Sequence, residues 1–131
     1  MELTQETIMR AQMIEQKVHE IEQNLEVVNE QINELEAFKK SLSNFDKSDN
    51  NELLASLGKG VYAKTEVKEK ELLVNVGKDI YVKKSAKETM AVIAEQNARL
   101  MEVRQQLTMR AEAYSNAFQE IIAQIQASQG K

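Results

Sequence analysis

The feature that most constrains this chain is a regular apolar spacing in its first third. Residues 5–43 contain neither Gly nor Pro, and apolar residues recur there at alternating intervals of three and four. This spacing is typical of a helix with one narrow buried seam. Nine of the ten seam positions are apolar over more than four heptads, which indicates a coiled coil. We place the first helix at about 5–43. At 1.5 Å per residue it is about 58 Å long, so it needs a partner helix rather than a globular core. The seam positions are Ala11, Ile14, Val18, Ile21, Leu25, Val28, Ile32, Leu35, Lys39 and Leu42.

A second seam of similar length lies in the C-terminal third. The sequence Ser85-Ala86-Lys87-Glu88 is a capping box, in which the serine caps the helix and the glutamate reaches back to the serine amide. We place the second helix at about 86–128, with Gly130 as its stop. The seam residues are Ala86, Met90, Ile93, Asn97, Leu100, Arg104, Leu107, Ala111, Tyr114, Phe118, Ile121 and Ile125.

Two matched seams separated by about 40 residues predict one antiparallel coiled coil within a single chain. Residues whose numbers add to roughly 128 then face each other, within one heptad step. Lys39, Asn97 and Arg104 interrupt the seams with polar groups. Such residues select register at a cost in stability, because misaligned pairings leave them against apolar neighbours. The simpler reading, that Lys39 and Arg104 extend out of the seam to solvent, carries at least equal weight.

The segment between the helices changes period. A polar connector, 46–51, is followed by residues that alternate by twos, which is typical of strands. Turn signals near Gly58, Glu69 and Gly77 divide the region into four strands at about 52–57, 61–68, 71–76 and 80–84. The predicted fold is therefore α+β and mainly helical, with a long antiparallel intramolecular coiled coil whose two helices are joined by two β-hairpins. We expect the chain, 1–131, to form one domain.

Four short strands beside a thin helix pair have little to pack on. Isolated hairpins are marginal in water and free strand edges pair readily with other chains, so we expect oligomerisation through the strands. The predicted interface residues are Val61, Ala63, Thr65, Val67, Leu72, Val74, Val76, Ile80 and Val82.

Composition and charge exclude several other functions. A net charge of −4 argues against nucleic acid as the main partner, because no basic track is available to neutralise phosphates. No stretch is apolar enough for a membrane span, and the N-terminus lacks the pattern of a signal peptide. Without cysteine there is no disulfide, and we expect a cytoplasmic protein.

The residues that resemble a chemical site have better structural explanations. Gly58, Gly60 and Ala63 have the spacing of a dinucleotide fingerprint, but that motif must open a helix and here it lies in strand alternation. His19 is the single histidine and has no second ligand for a metal. Carboxylate pairs such as Glu30 and Glu34 lie on a helix of a two-helix rod, which offers no cleft of the kind that general acid and base catalysis needs. We predict no enzymatic activity, no cofactor and no metal.

The strand region carries a family resemblance. The segments Leu57–Lys64 and Leu73–Val82, placed between two helices of matched length, resemble the double hairpin of the α-class subunit of prefoldin, as distinct from its single-hairpin β class. The resemblance implies an ATP-independent holdase subunit, assembled as two α-class with four β-class subunits through a β-barrel platform. It further implies that unfolded clients are held at the coiled-coil tips and delivered to a group II chaperonin.

The expected client-binding residues are apolar and lie near the two chain ends, where an antiparallel pair forms its tip. Methionine suits varied clients because it is unbranched and polarizable. A competing explanation is that Leu3 and Ile8 form a hydrophobic staple around a Thr4 cap. The residues are Leu3, Ile8, Met9, Met13, Ile122 and Ile125.

Two other functions fit the same pattern. One is a coiled-coil tether or adaptor that binds a single folded partner. The other is the helical arm of a nucleic-acid enzyme, against which the acidic first helix weighs.

Overall fold

A computed structural model describes residues 5–129 as two long helices joined by two β-hairpins, and this confirms the predicted fold class. The elements are α1 (Gln5–Lys47), β1 (Glu52–Gly58), β2 (Val61–Glu66), β3 (Glu71–Gly77), β4 (Ile80–Ser85) and α2 (Ala86–Gln129). Helix α1 continues four residues past its predicted end, and the strand limits differ from the predicted ones by at most two residues. The contacts group the chain into two compact units, which are described separately.

The first unit consists of 5–33 of α1 and 98–129 of α2. One of its contacts is a hydrogen bond from Arg104 Nη1 to Asn29 Oδ1 at 3.3 Å. Suppose that the two helices ran parallel, with Arg104 beside Asn29. The α1 segment of this unit ends at residue 33, soon after Asn29, so most of α2 beyond Arg104 would have no α1 residues beside it. Ile121 would then have no neighbour, yet it is only 3% exposed. The two segments therefore run antiparallel, within one heptad of the predicted register.

Every apolar seam residue predicted from the spacing is buried or half-buried, as a narrow helix seam requires. The three polar seam residues differ from one another in exposure and in hydrogen bonding. Lys39 is exposed, as the simpler reading expected, whereas Arg104 is half-buried and donates to Asn29. Asn97 is half-buried, and its Oδ1 has no hydrogen-bond partner within residues 5–129.

The second unit, 34–97, contains the end of α1, both hairpins and the start of α2. Its buried apolar residues are Leu42, Ala86 and Ile93. The ammonium group of Lys70 donates to the carbonyl of Asp46 at 3.0 Å and also to that of Ser48. These carbonyls lie at the C-terminal end of α1, where no intrahelical donor remains, so Lys70 both caps the helix and attaches the segment after β2 to it.

Helix α2 begins with the predicted capping box. The Glu88 amide donates to Ser85 Oγ at 3.1 Å, and the Ser85 amide donates to Glu88 Oε1 at 3.3 Å. The hydroxyl of Thr89, a buried polar residue, donates to the Ser85 carbonyl at 2.9 Å. The first turn of α2 is thus satisfied by its own side chains.

Each hairpin is a separate two-stranded antiparallel sheet. Hairpin 1 is β1 with β2, and hairpin 2 is β3 with β4. Both turns contain a glycine with positive φ, 97° at Gly58 and 120° at Gly77, followed by a lysine with φ of 51°. Glycine is favoured at the first position because a Cβ disfavours this backbone region.

Candidate functional site

The predicted client-binding residues lie near the chain ends of the first unit. Leu3 is outside the described residues, and so is Thr4, on which the staple explanation depends. Met9 and Met13 are each 62% exposed, and Ile8 is also exposed. Methionines four residues apart lie on the same helix face. We call the set of Ile8, Met9, Met13, Ile122 and Ile125 the terminal patch.

Helix α2 contributes the less exposed part of the terminal patch. Ile122 and Ile125 are half-buried, because they lie on or beside the seam. When the Asn29–Arg104 contact is extended along both helices, Ile125 falls at the level of Ile8. The two helices therefore bring their apolar residues to the same end of the unit, with the methionines as its most exposed members.

Apolar residues are exposed elsewhere in the first unit as well. Val27 and Met109 are 53% and 61% exposed. Single exposed apolar side chains are ordinary on protein surfaces. The terminal patch differs because three exposed apolar residues of one helix, Ile8, Met9 and Met13, lie within two turns of each other.

The predicted interface residues of the strands are divided between half-buried and exposed positions. Residues paired directly across a hairpin share a face, such as Ala55 with Ala63 and Val74 with Val82. The half-buried predicted residues are Ala63, Val67, Leu72 and Val74, and the exposed ones are Val61, Thr65, Val76, Ile80 and Val82. Thr65 also donates its hydroxyl to the Leu53 carbonyl at 2.8 Å, which ties β2 to β1.

Sequence reasoning missed a second group of exposed apolar residues on the hairpins. The prediction followed one alternating face, but both hairpins start with two consecutive leucines, and consecutive residues of a strand point to opposite faces. That repeated Leu-Leu was the signal for a sheet that is apolar on both sides. The missed residues are Leu53, Leu54, Leu57, Tyr62, Leu73 and Tyr81.

Among the described residues, no group of three His, Cys, Asp or Glu side chains could hold a metal ion. The pKa of Glu88 is lowered, first because the Ser85 backbone N–H donates to its carboxylate. That shift belongs to the helix cap. His19 is exposed, and its Nε2 lies 3.4 Å from Nε2 of Gln23 on the next turn.

No helix within residues 5–129 combines the length and apolarity needed to cross a membrane.

Comparison with known proteins identifies the family. The family model for prefoldin subunits matches residues 14–131, and the chain belongs to the prefoldin family. It is therefore a chaperone-type subunit of a non-enzymatic family. The fold is similar to the cryo-EM structure of filamentous PFD, a prefoldin, from Methanocaldococcus jannaschii, with a TM-score of 0.75 and 15% sequence identity. The match covers 88% of this chain and 97% of that one. None of the curated proteins matches the chain.

Proposed function

We propose that this protein is an α-class prefoldin subunit that acts as an ATP-independent holdase. It captures unfolded polypeptides at the terminal patch and delivers them to a group II chaperonin in the cytoplasm. It assembles through its hairpins with β-class subunits, two α-class with four β-class. The observation that carries the proposal is the exposed Met9–Met13 pair at the same end of the first unit as Ile122 and Ile125, in a chain of the prefoldin family.

The chemistry of the terminal patch suits an unfolded client. Unfolded chains expose apolar side chains in no fixed order, so a binding surface for them needs area and adaptability rather than shape. Methionine provides both, because its unbranched thioether adjusts to different neighbours.

Two features support the assembly part of the proposal. The chain has two hairpins between its helices, which is the arrangement that the α-class resemblance implies. Both hairpins expose large apolar side chains in the single chain, including Val76 and Ile80 from the predicted interface. Burying such residues against a partner removes apolar surface from water, a favourable contribution of about 25 cal/mol for each Å² that is offset in part by the entropic cost of association.

The test replaces Met9 and Met13 with glutamate and measures suppression of aggregation of several unrelated unfolded proteins. We expect holding to be lost while the assembly size, measured by light scattering, stays unchanged. The matched control replaces Val27 and Met109 with glutamate. Both residues are similarly exposed in the same unit but lie outside the terminal patch, so this variant should hold clients normally. Unimpaired holding by the Met9/Met13 variant would show that clients bind elsewhere.

A second pair of substitutions tests the assembly role. Lysines at Val74 and Val76 put two charges on the apolar face of β3 and should block assembly. An intact oligomer, seen by light scattering alone and in a mixture with a single-hairpin subunit, would mean that this face stays in solvent.

The alternative function is a tether or adaptor that binds one folded partner. The two functions give different results in one assay. A holdase suppresses aggregation of unrelated clients, whereas an adaptor binds one folded protein at fixed stoichiometry and leaves the aggregation of the others unchanged.

A further inference from the structure

All the sulfur in this chain is methionine sulfur, and two of the methionines belong to the terminal patch. The sequence has six methionines and no cysteine. Met1 lies outside the described residues. Oxidants that react first with thiolates in most proteins therefore meet only thioethers here. The exposure of each side chain then decides which sulfur is oxidised.

The other five methionines differ widely in exposure. Met9 and Met13 are each 62% exposed, and Met109 is 61% exposed. Met101 is less accessible at 39%, and Met90 is half-buried in the seam of α2. Because an oxidant must reach the sulfur atom, the three most exposed methionines should react fastest and Met90 slowest.

Oxidation of Met9 and Met13 changes the terminal patch without disturbing the fold. The two residues lie four apart on one face of α1, outside the buried seam. Each side chain is more than half exposed, so an added oxygen atom has room in solvent. An oxygen added to Met90 would instead have to enter the seam, where it would meet apolar neighbours.

The added oxygen removes the property that suits methionine to unfolded clients. A thioether is apolar and adapts to varied neighbours, whereas a sulfoxide is polar and accepts hydrogen bonds. When a client's apolar side chains cover a sulfoxide, its oxygen loses water and gains no donor in exchange. With two sulfoxides on one helix face, the most exposed part of the terminal patch no longer favours an apolar client.

We propose that Met9 and Met13 form a reversible oxidation site, at which hydrogen peroxide switches off client capture. The inference rests on the proposed function of the terminal patch and adds its regulation. Each sulfur attacks one peroxide oxygen, so that an S–O bond forms while the O–O bond breaks. The transferred oxygen gives its proton to the departing hydroxide, which leaves as water, and the two electrons lost by sulfur reduce the peroxide. Thiol-dependent methionine sulfoxide reductases, one for each sulfoxide epimer, reverse the oxidation.

The composition of the strand region spares it from the same chemistry. Residues 52–85 contain neither methionine nor cysteine, so both hairpins offer the peroxide no sulfur. Oxidation should therefore stop client capture and leave the assembly intact. That combination distinguishes a switch at the terminal patch from general oxidative damage, which would change both.

The test treats the protein with hydrogen peroxide, removes the peroxide and then adds an unfolded client. Peptide mass spectrometry locates each added oxygen, light scattering measures assembly size, and suppression of aggregation measures holding. We expect the three most exposed methionines to be oxidised before Met90. Holding should fall in step with the fraction of chains oxidised at both Met9 and Met13, while assembly size stays unchanged. Treatment with both reductases and a thiol should restore holding.

Two leucine variants show which methionines matter, because leucine is close to methionine in volume and has no sulfur. Met101→Leu with Met109→Leu leaves the terminal patch unchanged and should lose holding on oxidation as the unmodified protein does. Met9→Leu with Met13→Leu should hold as well after peroxide as its own untreated sample does. A Met101/Met109 variant that keeps its holding after oxidation, or a Met9/Met13 variant that loses it, would overturn the proposal.

The untreated sample separates this inference from the proposed function. An untreated protein that holds no client would overturn the holdase role and the switch together. An untreated protein that holds clients, and holds them equally well with both sulfoxides in place, would overturn the switch alone. Holding that is lost on oxidation but not restored by the reductases would likewise contradict a reversible site.

Discussion

Asn97 provides the sharpest test of how the helix pair is stabilised. It occupies a seam position of α2, and its Oδ1 is buried with no hydrogen-bond partner among the described residues. A buried polar atom without a partner has lost its bonds to water and gained nothing in return. We predict that Asn97→Leu stabilises the protein.

The magnitude follows from two contributions. Removing an unsatisfied buried polar group recovers roughly 1–3 kcal/mol. A fully buried leucine contributes about 1.5–3 kcal/mol, and since position 97 is half-buried we take about half of that. Allowing for strain as the seam adapts to the new shape, we expect a gain of about 2 kcal/mol. For a chain of this size that corresponds to a rise in Tm of roughly 6 °C.

The assay is thermal unfolding followed by helical circular dichroism at one fixed protein concentration, because assembly makes Tm depend on concentration. The control is Gln96→Leu, which adds a leucine at the neighbouring exposed position and should change stability by less than about 0.5 kcal/mol. If Asn97→Leu leaves Tm unchanged or lowers it while the control behaves as expected, Oδ1 has a partner in solution and the reasoning fails.

Three further predictions concern the caps and turns. Ser85→Ala removes the helix cap and should lower the free energy of unfolding by about 1 kcal/mol, whereas Ser115→Ala, in the exposed middle of α2, should not lower it. The pKa of Glu88 is lowered from 4.5 by the Ser85 backbone N–H and then by the Ser85 side chain, so its stabilisation is complete above pH 4.5 and is lost as pH falls through the folded-state pKa. Glu88→Gln should therefore be less stable than the unmodified protein at neutral pH and nearly equal to it in acid, in unfolding curves recorded across that range. Gly77→Ala should lower stability by roughly 1–3 kcal/mol because φ is 120° there, while Asp79→Gly, at φ of 60°, should cost nothing in the same melt.

The helices were predictable because the spacing of apolar residues determines which face of a helix is buried whatever lies opposite. The capping box was equally local, since Ser85 and Glu88 are three residues apart. The end of α1, in contrast, involves a contact between residues that are far apart in sequence. It extends to Lys47, where carbonyls at its end accept from Lys70, more than twenty residues away in sequence. No pattern around Lys47 contains that contact.

The candidate site was predictable only where it depended on the seam. Met9 and Met13 were identified as exposed because they fall outside the apolar spacing, and they are exposed. Tyr62 and Tyr81 were missed, because an alternating pattern assigns one face to the interior and leaves the other to solvent. A hairpin that is apolar on both faces has no interior of its own, and only a partner decides which face is covered.

The two exposed surfaces differ in what they can bind, for reasons that lie in the backbone. Met9 and Met13 are each two residues from the seam position Ala11, about 200° around the helix, so a small change of register does not bury them. The backbone beneath them is hydrogen-bonded within α1, and only side chains are available to a ligand. Such a surface selects apolar content and not conformation, as an unfolded chain requires. The hairpins also offer unpaired strand edges, and a strand edge binds its partner in an extended conformation. An ordered second subunit meets that condition at lower entropic cost than an unfolded client, so assembly and client capture can occupy different surfaces without competing.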